Sequence, residues 1–314
     1  MKQLKETAQK IKTMEIRGAG RIARAAAAEL RDYAGRLKTD EPDEFNKKMK
    51  YAAGLLVSTR PTAVSLPNAV RVVMRYEGES VVEAKSSIKK LADEFIANSE
   101  NAVRKIGEIG ARRVRDGDTI MTHCNSAAAT SIFAAAHAQG KEINVIATES
   151  RPRMQGLITI KQLDNLGINT TLIVDSAVRY FMKEVDLVIM GADAVTVNGS
   201  VINKIGTSQL ALAAHESRKN VIIAAETYKF SPRTILGELV EIEERDSGEV
   251  LSREKLGEFS NVCVKNPAFD VTPREYIDLI CTEVGAIPPE MAYIIIREYL
   301  GWELGEINSD GKEY

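Results

Sequence analysis

The spacing of hydrophobic positions changes once along the chain, near residue 117. Before that point apolar residues recur at three- and four-residue intervals, the period of a helix with one buried face. Residues 21–38 (RIARAAAAELRDYAGRLK), 44–60 (EFNKKMKYAAGLLVSTR), 67–78, and Val81 to about Arg115 all read as helices, rich in good helix formers. Pro61 follows the second and marks its end. No strand is predicted before residue 117. Beyond Asp116-Gly117-Asp118 the texture becomes short β-rich runs: TIMTH (119–123), INVIAT (143–148), TTLIV (170–174), DLVIM (186–190) and NVIIAA (220–225). The intervening segments 126–140, 154–167 and 203–219 are each long enough for a crossover helix. Alternation of this kind predicts a parallel sheet with helices on both faces. The expected fold class is therefore α/β. A helical N-terminal domain (1–112) precedes a Rossmann-like parallel-sheet domain (113–314) that carries most of the active site.

Composition narrows the function classes. The chain has 314 residues, 44% hydrophobic and 27% charged, which is ordinary for a soluble globular protein. Lys and Arg number 42 against 44 Asp and Glu, a net charge of −2. That balance gives no basic field for nucleic acid or an anionic membrane, so neither partner is expected. No run of ~18 apolar residues is present to span a bilayer, and the first twenty residues lack the apolar core of a signal peptide. Three widely spaced cysteines, Cys124, Cys263 and Cys281, do not form a disulfide framework and fit a reducing cytoplasm.

In open parallel sheets, ligands bind beyond the carboxyl ends of the strands. Those ends carry His123-Cys124-Asn125, Glu149-Ser150-Arg151, Asp175-Ser176, Gly191-Ala192-Asp193 and Glu226-Thr227-Tyr228-Lys229. Cys124 falls where a strand gives way to an alanine-rich helix. The positive end of that helix would favour the thiolate and lower the thiol's pKa; a buried inert thiol is the other account of it. The small residues after Asn125, beginning Ser126-Ala127, would let a substrate reach free backbone N–H groups. Asp193 follows the apolar run LVIMGA, where a raised pKa would make it a general acid; it could equally cap the next turn. Asn203 and Lys204 could hold an anion or a hydroxyl, with Gly206 permitting close approach, though Lys204 also reads as a solvated lysine. Arg17-Gly18-Ala19-Gly20 precedes a helix and suits phosphate or a flexible turn. Arg60 and Arg151, each before a proline, are phosphate clamps or ion-pair members. His123, His137 and His215 lack metal-ligand spacing, no G-x-S-x-G elbow occurs, and no strand is followed by a full G-x-G-x-x-G. His123 and Cys124, as strand neighbours, point to opposite faces, which makes His123 a packed or supporting group.

Six segments taken together, RGAG (17–20), STRPTAV (58–64), THCNSAA (122–128), ESRPRMQG (149–156), GADAVTVNGSVINKIGTSQLA (191–211) and NPAFDVTP (266–273), resemble one superfamily. It joins methylthioribose-1-phosphate isomerases, regulatory subunits of translation initiation factor 2B, and archaeal ribose-1,5-bisphosphate isomerases. The resemblance implies an isomerase, because Cys124 and Asp193 stand where the enzymes of the superfamily carry them. R-G-A-G followed by RIARAAA looks like the ribose-bisphosphate branch. By resemblance, Cys124 is the base and Asp193 the acid of a ribose 1,5-bisphosphate to ribulose 1,5-bisphosphate isomerisation. Arg17, Gly18, Ala19, Gly20, Arg60, Asn125, Ser126, Ala127, Arg151, Asn203, Lys204 and Lys229 bind the substrate. No metal or redox cofactor is required. The same resemblance implies a cytoplasmic enzyme of archaeal AMP degradation, AMP as an effector, and a homo-oligomer, a hexamer built as a trimer of dimers. The alternatives are a methylthioribose-1-phosphate isomerase and a non-catalytic regulatory subunit.

Overall fold

The computed structural model describes residues 1–16, 18–60, 64–232 and 242–300. Five helices come first: α1 (Lys2–Lys12), α2 (Ala19–Arg36), α3 (Pro42–Val57), α4 (Ser65–Met74) and α5 (Val81–Ala111). Each buries one stripe, and Leu4, Leu30, Phe45, Met49, Leu66 and Ile88 meet in a helical core. The start of α5 is set by a capping box. The Ser80 hydroxyl accepts the Glu83 N–H, and the Glu83 carboxylate takes the N–H of Ser80.

The remainder alternates strand and helix: β1 (Thr119–Thr122), α6 (Ala127–Ala138), β2 (Asn144–Thr148), α7 (Gly156–Asn165), β3 (Asn169–Ile173), α8 (Val178–Phe181) and β4 (Leu187–Gly191). Then come β5 (Ala194–Val195), β6 (Val201–Lys204), α9 (Thr207–Glu216), β7 (Asn220–Ala224), α10 (Arg253–Leu256), β8 (Phe269–Thr272), β9 (Leu279–Thr282), β10 (Gly285–Ile287) and α11 (Ala292–Leu300). All five expected strands form, within a residue or so of the predicted ends. A seven-stranded sheet has the order β10-β9-β7-β4-β1-β2-β3, parallel except for β10. Alternation along its strands feeds two cores. Ile120, Leu187 and Ile189 pack with α6 and the second half of α5, whereas Met121, Val188 and Met190 pack with α9 and α11. Edge strand β3 is less covered, and Leu172 is 41% exposed.

The structure departs from the expected pattern at α1, β8, β9, β10 and α11, which the sequence pattern does not predict, and in the region after β5. Residues 203–204, assigned to a crossover helix, instead end β6, which pairs antiparallel with β5 and β8 in a separate three-stranded sheet. Their burial comes from β8, paired from more than sixty residues away. The helix α9 begins only at Thr207. From β1 the chain runs outward to β2 and β3 on one side, then returns to β4 on the other. The order therefore reverses between β1 and β4, and a crevice at such a switch point is where open sheets bind ligands.

Candidate active site

Cys124 follows β1, and Asp193 follows β4, on the two sides of that reversal. The Cys124 backbone has φ of 65°, and Ser150 has 58°. Both conformations are disfavoured for residues with a side chain and persist only where neighbours hold them. Here the Cys124 N–H donates to Ser150 Oγ at 2.7 Å, and the Thr159 hydroxyl donates to the Cys124 carbonyl at 2.7 Å. Asp175 in turn accepts the N–H groups of Ser150 (2.8 Å) and Arg151 (2.7 Å). The ends of β1, β2 and β3 are thus tied into one turn system around the thiol.

His123 braces it from below. Its Nε2 lies 2.8 Å from the Ile205 carbonyl, which can only accept, so Nε2 carries the proton and Nδ1 accepts the Thr148 hydroxyl at 2.6 Å. Burial pushes the imidazole below its ordinary value, which keeps it neutral. Gly206 has φ of 104°, and a Cβ there would stand 2.9 Å from the His123 ring. Glycine at 206 therefore leaves room for this histidine.

The thiol departs from the helix-dipole expectation. Cys124 is only 8% exposed, and burial pushes its pKa up to about 11. Lys204 and the hydrogen bond from the Asn125 N–H pull it down; Asp193 and Asp175 push it up. Ser126, not Cys124, is the cap of α6, accepting the Ala129 N–H, so the thiol stands outside the first turn where the dipole is strong. The first intrahelical bond is Thr130 N–H to the Ser126 carbonyl. That leaves the N–H groups of Ala127 and Ala128 as donors at the helix mouth. The Asn125 amide is committed to Thr159 Oγ1 (3.0 Å) and Gln162 Oε1 (2.9 Å).

Lys204 is not a solvated lysine: it is 7% exposed, and burial holds its pKa below the ordinary value. Its Nζ lies 5.1 Å from the centre of the Phe269 ring, opposite which β6 pairs it. Among the described residues it makes no ion pair or hydrogen bond through Nζ. Asp193 is half-buried rather than enclosed by apolar groups; its N–H bonds the Ile202 carbonyl, and its carboxylate has no ion-pair partner among the described residues. Thiol, carboxylate and ammonium all lie within electrostatic reach of one another. Asn203, by strand alternation, faces away from Lys204 and donates its amide to Thr207 Oγ1 at 3.0 Å.

The other cations are less open than their positions implied. Lys229 pairs with Glu226 at 2.7 Å with both side chains under a tenth exposed, a buried ion pair at the strand end. Arg60 pairs with Glu243 at 2.9 Å and also contacts Met14 Sδ. Arg151 is exposed and reaches the Val250 carbonyl at 3.3 Å. Gly18 precedes α2, the Ala19 carbonyl accepts the Ser65 hydroxyl at 3.2 Å, and a Cβ on Gly20 would sit 2.8 Å from the Tyr228 hydroxyl. Arg17 lies outside the described residues. No helix among the described residues is long and apolar enough to cross a membrane, and no three His, Cys, Asp or Glu side chains gather for a metal ion.

Residues 15–289 match the initiation factor 2 subunit family. The chain belongs to that family. It is 60% identical over 304 residues to the ribose 1,5-bisphosphate isomerase of Archaeoglobus fulgidus, covering 96% of this chain and 95% of that one. Identity to the ribose 1,5-bisphosphate isomerase of Methanocaldococcus jannaschii is 55% over 299 residues, 95% of this chain and 96% of that one. A crystal structure described as translation initiation factor eIF-2B of Pyrococcus horikoshii OT3 superposes with a TM-score of 0.79 at 34% identity, covering 92% of this chain and 98% of that one.

In this member of the initiation factor 2 subunit family, sequence reasoning missed Ser150 as the acceptor that holds the cysteine, and Thr159 with it. It also missed Glu243 and Arg245, which lie on a segment with no strand or helix period. Their one signal was proximity in space to NPAFDVTP, since Glu244 bridges to Pro267.

Proposed function

We propose that this chain isomerises α-D-ribose 1,5-bisphosphate to D-ribulose 1,5-bisphosphate. The observation that carries the proposal is the meeting of Cys124, Asp193 and Lys204 at the sheet's switch point, each without a structural ion-pair partner among the described residues. Ionisable groups left open in this way, two of them buried, are characteristic of sites built for a ligand. The high identity to relatives named for this reaction supports the substrate.

C1 of the substrate carries a phosphate, so no free aldehyde exists and the ring must open first. The bond from C1 to the ring oxygen breaks, its electrons pass to that oxygen, and Asp193 supplies the proton. The fraction of Cys124 that the Lys204 ammonium holds as thiolate then takes the C2 proton, and the freed electron pair forms a C1=C2 double bond. Finally the thiol returns its proton to C1 while the C2 hydroxyl gives its proton to the Asp193 carboxylate. Both groups end as they began. The Lys204 ammonium favours the thiolate and the developing oxyanion, helped by the N–H groups of Ala127 and Ala128. Arg17 with Gly18, Ala19 and Gly20, and Arg60, hold phosphate. Asn125, Ser126, Arg151 and Asn203 shape the turns around it. Lys229 acts through its pair with Glu226 rather than by direct contact.

On family resemblance the proposal extends to AMP degradation in the cytoplasm, AMP as an effector, and a homo-hexamer. The test is turnover of α-ribose 1,5-bisphosphate, read as ribulose 1,5-bisphosphate by a coupled carboxylation, with Cys124→Ser and Asp193→Asn in parallel. Wild-type turnover that both variants lose is expected. Turnover of methylthioribose 1-phosphate alone, or full activity in either variant, would overturn the assignment.

A further inference from the structure

Glu243 stands between two largely buried guanidiniums. Its Oε2 meets Arg60 Nη2 at 2.9 Å, and its Oε1 meets Arg245 Nε at 3.3 Å. The Arg60 side chain is 13% exposed and that of Arg245 11%. Arg60 fills its other terminal nitrogen with Met14 Sδ. Arg245 does not: among the described residues both of its terminal Nη groups lack a hydrogen bond. The stem of Arg245 is packed while its terminal fork is left without a protein acceptor among the described residues, and the planar geometry of that fork matches two oxygens of one phosphate.

Resting on the isomerase reading, we infer that Arg245 is a phosphate-binding residue of the site, and that Glu243 is a built-in counter-ion holding Arg60 and Arg245 until a substrate phosphate arrives. The location supports this. Arg245 and Glu243 both act electrostatically on Lys204, which acts on Cys124. The segment is pinned in place, with the Arg245 N–H on the Asn266 carbonyl and the Ala268 N–H on the Glu243 carbonyl. Residue 269, opposite Lys204 on β8, follows at once. Glu243 is the carboxylate that Arg60 and Arg245 share, while Asp193 stands by Lys204 and Glu249 near Arg245, so a phosphate reaching the two guanidiniums meets Glu243 as its direct competitor. The carboxylate then competes with the incoming phosphate for the two guanidiniums, so its removal should tighten binding.

The test uses the full-length protein and the variants Arg245→Gln, Arg245→Lys and Glu243→Gln. Two measurements are made: KM and kcat with ribose 1,5-bisphosphate, and calorimetric binding of inorganic phosphate, which needs no turnover. Arg245→Gln should raise KM roughly 10- to 100-fold with kcat changed much less, and weaken phosphate binding in parallel. Arg245→Lys should recover part of both, since it keeps the charge and loses the fork. Glu243→Gln should lower KM and strengthen phosphate binding severalfold. A scaffold role would not produce that opposite sign. If Arg245→Gln leaves both readouts unchanged, or if Glu243→Gln weakens binding as much as Arg245→Gln does, the inference fails. Should the wild type not turn over the bisphosphate, the isomerase reading fails separately, and the phosphate calorimetry still decides the role of Arg245.

Discussion

At the scale of single residues, the decisive quantity is the proton on Cys124. Burial holds it on the thiol to about 11, and Lys204 is the principal group working the other way. Alkylation of Cys124 by iodoacetamide in the ligand-free protein should therefore still be accelerating above pH 9, because only the thiolate reacts. Lys204→Met should slow it at any one pH. A plateau near pH 7, read by mass spectrometry of the Cys124 peptide, would contradict this account. The turn that presents the thiol can be tested independently. Ser150→Ala removes the acceptor of the buried Cys124 N–H, an expected loss of about 1–3 kcal/mol in urea unfolding, with kcat falling more than KM rises. The strand-end rule placed Cys124 and Asp193 among five strand ends at one edge of the sheet, and the family resemblance picked those two out. It could not supply the sign of the thiol's pKa shift, which depends on burial by residues distant in sequence. Nor could it reveal that Lys229 is spent on Glu226, because an i,i+3 pair at a strand end looks the same whether open or buried.

At the scale of elements, the long periodic segments were legible and the short ones were not. Helices α2 to α7 and α9, and the five strands from β1 to β7 in the main sheet, carry enough period to read, whereas the eleven-residue α1 and the buried strand β9 were not picked out. β5 has two residues and β6 four, and their pairing partner β8 comes long after them, so no local pattern announces the second sheet. The same junction carries a pH signature. Asp270, on β8, accepts the N–H groups of Gly206 (2.7 Å) and Ser208 (3.1 Å) and so caps α9 from another strand. Burial outweighs those donors and raises its pKa to about 6, while His123, on the other side of the 205–206 turn, is lowered. The two contribute with opposite signs. Neutral His123 stabilises fully above the unfolded value of about 6.5, and that contribution is lost as pH falls through its lowered folded pKa. Asp270 stabilises fully below the unfolded value of about 3.9, and that contribution is lost as pH rises through about 6. Acidification from pH 7 to 4.5 therefore sets a loss at His123 against a gain at Asp270. Asp270→Asn should remove the gain and steepen the acid loss of stability, and His123→Asn should flatten it. Urea midpoints between pH 4.5 and 7.5 measure both; parallel curves for wild type and Asp270→Asn would refute the assignment.

At the scale of the whole molecule, the question is whether the expected division at 112/113 separates two folding units. We propose that it does not. α5 runs through both sides: Ile88, Ala92 and Phe95 belong to the helical core, while Ile106 and Ala111 belong to a core under the sheet. The turn after β7 crosses in the other direction. Tyr228 packs in the helical core against Phe95, with ring centres 5.6 Å apart, and its hydroxyl donates to Glu226 and accepts from Ser99. Asn68 of α4 donates to the carbonyls of Tyr228 and Phe230, each at 2.9 Å. Melting the helices would thus strip partners from buried groups of the sheet, including the Glu226–Lys229 pair. Calorimetry should give one transition whose van't Hoff enthalpy equals the measured enthalpy. Lys229→Met sharpens the test, because leaving Glu226 buried and unpaired costs about 3–5 kcal/mol at the joint itself. If the molecule is one cooperative unit, that cost should lower the single transition and move helical circular dichroism and sheet-side hydrogen exchange together. If the helices instead melt first while the sheet's exchange protection persists, residues 1–112 are a domain in the folding sense, and α5 is a hinge between two cores.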